Sequence, residues 1–164
     1  FPSLYRRHKD PVYRYLLRGC RNPDTAAEMF QDVWAKLIRA RQQYQPRAKF
    51  TTWLYRIAHN RLVDHWRANP AAEADGTLQE AEAIPAAETA QPERQADSAE
   101  RGARLLKSLA ALPDAQREAF VLKEEGGLSL EEIAELQGVG RETVKSRLRY
   151  ALAKLKQELS DVWP

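Results

Sequence analysis

The side chains with the clearest capacity for specific chemistry lie at the start of a predicted helix near the C-terminus. Arg141, Lys145 and Arg149 recur every four residues, so they share one face of that helix. Arginine can donate two hydrogen bonds to one guanine, and lysine or serine can hold a phosphate or a base edge. The pattern predicts a surface that reads duplex DNA, formed by Arg141, Glu142, Lys145, Ser146 and Arg149.

The helices that must position these side chains have the pattern of a helix-turn-helix unit. Ser129 followed three residues later by Glu132 predicts a capping box, and therefore the start of a helix. Residues 138–140 contain two glycines and supply a short turn before the helix over 141–159. Apolar residues at helical spacing give the second helix a buried stripe of Val144, Leu148, Ala151 and Leu155. An ordinary helical hairpin with a charged surface is the alternative.

A small group near residue 60 is the one part of the sequence that suggests a metal site. On a helix, His59 and Asp64 diverge by more than a full turn, and His65 lies on another face. The sequence also lacks a nucleophile–base set and a glycine-rich phosphate loop. We therefore expect no enzymatic activity, no metal and no cofactor.

Cysteine content and hydropathy indicate in which cellular compartment the protein is expected. Cys20 is the one cysteine, so the chain cannot form an internal disulfide. No apolar run approaches the roughly 20 residues that span a bilayer. We therefore expect a cytoplasmic protein that is not embedded in a membrane.

The charge of the chain is distributed unevenly. Residues 1–70 hold 14 basic and 5 acidic side chains, whereas residues 71–100 hold one basic and eight acidic ones. Residues 101–164 are nearly balanced, with 11 and 10. A basic first block favours a polyanionic partner, with a merely solvated basic surface as the alternative.

The acidic stretch also predicts the domain organisation. Ala, Glu, Gln and Pro dominate residues 71–100, and Leu78 and Ile84 are its only large apolar residues. Such a segment cannot bury enough apolar area to offset its ordering entropy. We interpret it as a flexible acidic linker between two small domains, 1–70 and 101–164. Both domains have helical periodicity and no hairpin signal, which predicts an all-α fold.

Several helices are predicted in the first domain. Its first part forms one or two helices that end at Gly19, a C-cap residue type, and the next helix is capped by Asp24 or Thr25. The last one starts near Thr51 or Thr52. The apolar positions of the helix after Gly19 are Met29, Phe30, Val33, Trp34, Leu37 and Ile38, and those of the last helix are Leu54, Ile57, Ala58, Leu62 and Trp66.

The second domain begins with a short leucine-rich helix. Leu105, Leu106, Leu109 and Leu112 mark this helix, which Pro113 stops. Asp114 then caps a helix that runs to about Glu125.

The second domain resembles region four of a known family of transcription factors. Leu112-Pro113 precedes the motif Gly127-Leu128-Ser129, and Glu132-Ile133-Ala134 leads to the run from Thr143 to Leu148, Thr-Val-Lys-Ser-Arg-Leu. These motifs are similar to those of the sigma factors of bacterial RNA polymerase, in the extracytoplasmic function group of the sigma-70 family. Glu142 and Tyr150 depart from the family pattern, which leaves the DNA sequence that is read open.

The first domain resembles region two of the same family. Gln31-Asp32-Val33-Trp34 is similar to the helix that binds core polymerase, and residues 50–67 are similar to the helix that opens the minus-ten element. Ala27 departs from the pattern, where the family has Glu. Two family regions in the correct order, separated by an acidic linker, are more specific than either alone.

The resemblance implies a role for each surface. It places Asn60 against a base flipped from the duplex, because its amide offers both a donor and an acceptor. Arg47 and Lys49 are expected to contact phosphates. The full set implied for the minus-ten element is Arg47, Lys49, Trp53, Arg56, Asn60 and Arg61, and the set for the minus-thirty-five element is the predicted DNA-reading surface.

The implied partners are core RNA polymerase, through its β and β′ subunits, promoter DNA in double- and single-stranded form, and an anti-sigma factor. The expected polymerase-binding surface is Glu28, Gln31, Asp32, Lys36 and Arg39. A helix-turn-helix regulator that binds duplex DNA by itself is the main alternative, and a protein-interaction module is another. The acidic linker either mimics nucleic acid inside the polymerase or is a passive tether.

Overall fold

The computed structural model describes residues 2–44, 49–69 and 92–160, with the side chains of residues 92–96 left out. Seven α-helices and one short 3-10 helix account for nearly all of these residues, which confirms the all-α prediction. None of the described helices is both long and apolar enough to cross a membrane. The helices are α1 (Pro2–Cys20), α2 (Pro23–Ala40), α3 (Phe50–Ala68), α4 (Pro92–Ala111), α5 (Asp114–Glu124), α6 (Leu130–Gln137) and α7 (Arg141–Leu159), and the 3-10 helix is Arg41–Gln43.

In the first domain, α1, α2 and α3 pack against one another around a shared core. The predicted apolar faces supply that core, together with Tyr15 and Tyr55, which are almost completely buried. Ile38 is the exception, because 43% of it is exposed at the end of α2. The core-forming side chains include Val12, Leu16, Met29, Val33, Leu37, Leu54, Ala58 and Leu62.

The junction of α1 and α2 differs from the prediction. α1 continues through Gly19 to Cys20, and Arg21 adopts the left-handed conformation expected of a C-cap, with φ of 62°. The N-cap of α2 is Asn22, rather than Asp24 or Thr25. Its side chain accepts hydrogen bonds from both of their backbone N–H groups, and Pro23 occupies the first helical position.

Gly19 is needed for close packing rather than for helix termination. A Cβ atom at this position would lie 2.6 Å from a methyl group of Leu62, whose side chain is buried in α3. The backbone carbonyl of Gly19 also accepts a hydrogen bond from the indole N–H of Trp66 at 2.9 Å. The absent side chain thus lets α1 and α3 approach closely.

In the second domain, α7 packs against α4, α5 and α6. Ser129 and Glu132 form the predicted capping box at the start of α6. Gly138 ends α6 in the left-handed conformation, and α7 begins at Arg141 as predicted. Asp114 lies in the first turn of α5, where it pairs with Arg117, so it is not the cap residue that was predicted.

The structure corrects the linker at its C-terminal end. Residues 92–100 belong to α4, although the sequence assigned them to the linker. Pro92 suits the first turn of a helix, and the later part of α4 is anchored because Leu109 and Leu112 are buried with α7 residues. The rest of the predicted linker, 71–91, lies outside the described residues.

The two domains pack together. One continuous buried cluster contains Leu54 and Tyr55 from α3 as well as Ala119 and Leu122 from α5. α1 contacts α5, and α3 contacts α6. The sequence predicted two domains but not this contact between them.

Candidate nucleic-acid interface

The helix-turn-helix unit presents the predicted DNA-reading residues on its outer face. Val144 of α7 is fully buried against the rest of the domain. The opposite side of α7, which carries Arg141, Lys145 and Arg149, is therefore exposed. Glu142 is also exposed, while Ser146 is half-buried. Leu148 is half-buried as well, so the predicted stripe is less deeply packed at that turn.

Local contacts hold these side chains in place. Arg141 donates to Glu131 of α6 at 2.7 Å, and Glu142 lies 3.8 Å from Arg141 and 4.0 Å from Lys145. The guanidinium of Arg149 lies 5.5 Å from the ring centre of Tyr150, a cation–π distance. A hydrogen bond from its own backbone N–H and the pairing with Arg141 lower the pKa of the Glu131 carboxyl, which keeps it ionised. Glu131 of α6 and Glu142 of α7 therefore partly neutralise the basic face of α7.

One face of α3 carries most of the residues predicted for the minus-ten element. Lys49, Trp53, Arg56 and Asn60 follow one another at intervals of four, three and four, which places them along one side of the helix. Lys49, Arg56 and Asn60 are exposed. Arg47 lies outside the described residues.

Trp53 belongs to an aromatic cluster at the start of α3. Its ring centre lies 4.9 Å from that of Tyr44 and 6.0 Å from that of Phe50. Trp53 is only half-buried, so the cluster reaches the surface. Exposed aromatic rings can stack on unpaired bases.

The outer face of α2 is exposed as predicted. Glu28, Gln31, Asp32, Lys36 and Arg39 all point away from the core that Met29 and Val33 occupy. Asp32 also accepts a hydrogen bond from Arg61 at 3.0 Å. This pair joins the predicted polymerase surface to the predicted minus-ten surface, so the two are contiguous.

Acidic side chains of the second domain meet the α3 face. Arg56 donates to Glu135 at 2.6 Å, and the ammonium group of Lys49 lies 3.8 Å from Glu132. The Thr52 hydroxyl donates to the same carboxylate of Glu132. Burial would raise the pKa of the Glu132 carboxyl, but these contacts and those with Ser129 outweigh it and lower the pKa.

Comparison with known protein families matches each of the two domains to a region of one family. Residues 4–71 match sigma-70 region 2, and residues 102–155 match sigma-70 region 4. The chain is 33% identical to the RNA polymerase sigma factor CarQ of Myxococcus xanthus over 162 residues, which cover 99% of this chain and 90% of CarQ. The ECF RNA polymerase sigma factor SigK of Mycobacterium sp. (strain KMS) is 32% identical over 161 residues, which cover 95% of this chain and 81% of SigK. The chain belongs to the extracytoplasmic function (ECF) group of the sigma-70 family.

A further relative agrees with this assignment, and two solved structures share the fold of this chain. The sigma factor SigE of Mycolicibacterium smegmatis is 34% identical over 96% of this chain, which spans only 61% of the length of SigE. The fold is similar to that of the sigma factor RpoE from Bartonella quintana, solved with the anti-sigma factor NepR, with a TM-score of 0.76 at 23% identity over 98% of this chain and 96% of RpoE. CnrH, solved with the cytosolic domain of CnrY, gives a TM-score of 0.66 at 23% identity over 98% and 88% of the two chains.

Several residues that contribute to these surfaces were not predicted from the sequence to have a functional role. Tyr44 and Phe50 contact Trp53, and their aromatic character was the available signal. Thr52 and Glu135 had no such signal, because their contact partners lie about 80 residues away in the chain.

Proposed function

We propose that this sigma factor binds core RNA polymerase and directs it to promoters. Region two would bind the polymerase through α2 and open the minus-ten element with α3, and region four would read the minus-thirty-five element with α7. The proposal rests on one observation above all. A helix-turn-helix with an exposed basic face and a second helix exposing Asn60 occur in one chain that matches both sigma regions.

The residue roles follow from exposure and chemistry. Glu28, Gln31, Asp32, Lys36 and Arg39 would contact the β and β′ subunits. Lys49, Arg56 and Arg61 would hold phosphates, while Trp53 would stack on a base and Asn60 would hydrogen-bond to a flipped one. Arg47, outside the described residues, would add a further phosphate contact.

Regulation by an anti-sigma factor is part of the proposal. Two proteins of similar fold were solved in complex with NepR and CnrY, the first of which is described as an anti-sigma factor. A protein of this class would hold the present chain in the cytoplasm until a signal releases it. The chain would itself carry out no catalysis.

Transcription in vitro from a promoter library, with purified core polymerase, tests the main function. We expect discrete start sites with the sigma factor and core polymerase together, and weak binding of duplex DNA by the sigma factor alone. Tight sequence-specific binding without polymerase-dependent initiation would instead support a helix-turn-helix regulator.

Competition for core polymerase tests the α2 surface. Gln31→Ala with Asp32→Ala should weaken holoenzyme assembly, because both side chains are exposed on the same face. Gln157→Ala with Glu158→Ala, a pair exposed near the end of α7 that makes the same change in net charge, is the matched control. Equal affinities of the two double variants would contradict the assignment of this surface.

A further inference from the structure

Region two has a cluster of four aromatic rings at which three parts of the chain meet. The ring centre of His8 in α1 lies 5.4 Å from that of Phe50, the first residue of α3. Phe50 lies 6.3 Å from Tyr44, which follows the 3-10 helix, and 6.0 Å from Trp53. All four rings are half-buried, so each of them reaches the surface. The proposed function uses only Trp53 of this four-ring cluster.

The helices α1 and α3 lie side by side and run in the same direction. His8, near the start of α1, contacts Phe50 at the start of α3. Gly19, near the end of α1, accepts the hydrogen bond from Trp66 near the end of α3. Side chains of α1 can therefore extend the surface that α3 presents.

The basic residues of α1 lie on the same side of region two as the minus-ten surface. Arg7, Arg14 and Arg18 are separated by seven and four residues, which places them on one stripe of the helix. Arg14 and Arg18 face region four, where both pair with one carboxylate. Arg56 on the minus-ten surface of α3 also pairs with a carboxylate of region four. The stripe on α1 and the minus-ten surface therefore face the same way.

Arg7 is the end of this stripe that lies beside the four-ring cluster. Its side chain is exposed and forms no ion pair with any residue that the structure describes. Burial, followed by the charge of Arg7, lowers the pKa of His8, so the imidazole is mainly neutral at pH 7. The pair thus offers one cation and one uncharged ring next to each other.

The spacing along α3 places the cluster within reach of a strand bound at Asn60. Phe50 and Asn60 are ten residues apart, which is about 15 Å along a helix. That length corresponds to about four nucleotides at ~3.4 Å per nucleotide of one strand. Aromatic rings stack on unpaired bases, so the ring-rich start of α3 suits the part of the promoter that has been opened.

We propose that the four-ring cluster and Arg7 form a second single-strand subsite, about four nucleotides from the flipped base on the side away from the minus-thirty-five element. Arg7 binds a phosphate of the unpaired strand, while His8 and Tyr44 stack on its bases. Stacking tolerates any base, so this subsite holds the strand open without reading its sequence. The inference rests on the proposed function, since it assumes that the flipped base lies at Asn60.

Binding of fork-shaped DNA by purified holoenzyme tests this subsite. The probe is a promoter recovered from the library, duplex upstream, in which the strand with the flipped base ends in a single-stranded tail. A short tail stops one nucleotide after the flipped base, and a long tail continues for six, so only the long tail reaches the subsite. The parent should bind the long tail at least about fivefold more tightly than the short one. Equal affinities for the two tails would overturn the proposal.

Arginine variants of α1 test the phosphate contact. Arg7→Ala should lose most of the gain from the long tail and reduce the salt dependence of long-tail binding by about 0.7 in the log–log slope. Arg6→Ala is the matched control, because Arg6 is also exposed but lies about 200° around the helix from His8. It should keep the gain within about twofold. Equal losses in the two variants would show a general effect of charge and overturn the proposal.

Histidine variants test the stacking contact. His8→Ala should lose at least about threefold in affinity for the long tail, whereas His8→Phe should retain it because the ring is kept. Binding of the short tail should be the same for both variants and the parent, which shows that region two is folded. If His8→Phe binds as weakly as His8→Ala, or if both tails lose affinity equally, His8 does not bind the strand.

The two tails also separate this inference from the proposed function. A parent holoenzyme that fails to bind the short tail would contradict the proposed function itself. A parent that binds the short tail, together with Arg7 and His8 variants that bind the long tail as well as the parent does, would overturn the second subsite alone.

Discussion

At the scale of single residues, exposure separates side chains available for DNA from those that hold the core. Asn60 is exposed on α3, although Ala58 and Leu62 on the same helix are completely buried. Arg149 is exposed on α7 beside buried Ala151. The two side chains belong to different regions, so their roles can be tested independently.

Replacing each of these residues should impair a different step of initiation. Asn60→Ala should leave upstream binding nearly intact and reduce strand opening, because it removes a hydrogen-bonding partner of the flipped base. Arg149→Ala should weaken recognition of the upstream element, since a base-edge contact is worth roughly 1–3 kcal/mol of discrimination. Permanganate reactivity of thymines reports opening, and a binding assay on the same templates reports recognition.

A mismatched bubble at the minus-ten element provides the control for that pair. The bubble removes part of the cost of melting, so it should partly rescue Asn60→Ala and should not rescue Arg149→Ala. Equal rescue of the two variants would show that the division of roles is wrong.

At the scale of elements, helix contacts explain which glycines matter. Gly19 allows α3 to pack against α1, whereas a Cβ atom at Gly102 in α4 would meet nothing within 4 Å. Both glycines are helical, so their intrinsic helix propensities are the same. Any difference between them on substitution therefore reports packing.

Alanine substitutions at these two positions should change stability in opposite directions. Gly19→Ala should destabilise region two by about 1–3 kcal/mol, because the buried Leu62 has little room to move. Gly102→Ala should stabilise the chain by about 0.4–1 kcal/mol through the entropy of the unfolded state. Urea unfolding followed by circular dichroism measures both changes. A destabilising Gly102→Ala would contradict the open environment of that residue.

At the scale of the whole molecule, ion pairs between regions two and four make the stability of their contact sensitive to pH. Burial would raise the pKa of the Glu125 carboxyl, but hydrogen bonds and charge from Arg14 and Arg18 outweigh it, so the pKa lies below its ordinary value. Tyr55 also faces this carboxylate, and burial, followed by the charge of Glu125, raises the pKa of its hydroxyl. A carboxyl with a lowered pKa stabilises the folded state above its unfolded value, about 4.3.

Acidification should therefore weaken the contact between regions two and four. The contribution of Glu125 is complete at neutral pH and is lost as the pH falls below about 4.3 and through the lower folded value. Urea unfolding between pH 7 and pH 3 should show a smaller pH dependence for Glu125→Gln than for the parent. Glu124→Gln serves as the control, and an identical slope for the two variants would exclude this role of Glu125.

Local rules in the sequence were sufficient for the buried faces of several helices and for the boundaries of the helix-turn-helix, although they misplaced the start of α4 and the cap of α2. Apolar periodicity predicted the buried faces of α2, α3 and α7, and the capping box at Ser129 and the turn at Gly138 predicted the helix-turn-helix boundaries. These features depend on residues three to eleven positions apart, so a single sequence contains them. The family motifs added the assignment to sigma regions two and four.

Contacts between distant parts of the chain were decided only by the tertiary structure. The sequence could not show that Gly19 is packed by Leu62 or that α4 begins at Pro92. The error at the cap of α2 is of another kind, because Asn22 binds backbone groups only two and three residues away, so its signal was present in the sequence. The sequence also could not pair Arg56 with Glu135, because nothing local distinguishes an acid that faces solvent from one that faces another domain. The charges of region four can be counted in the sequence, but only the packing of α5 and α6 against region two shows which of its acids face that region.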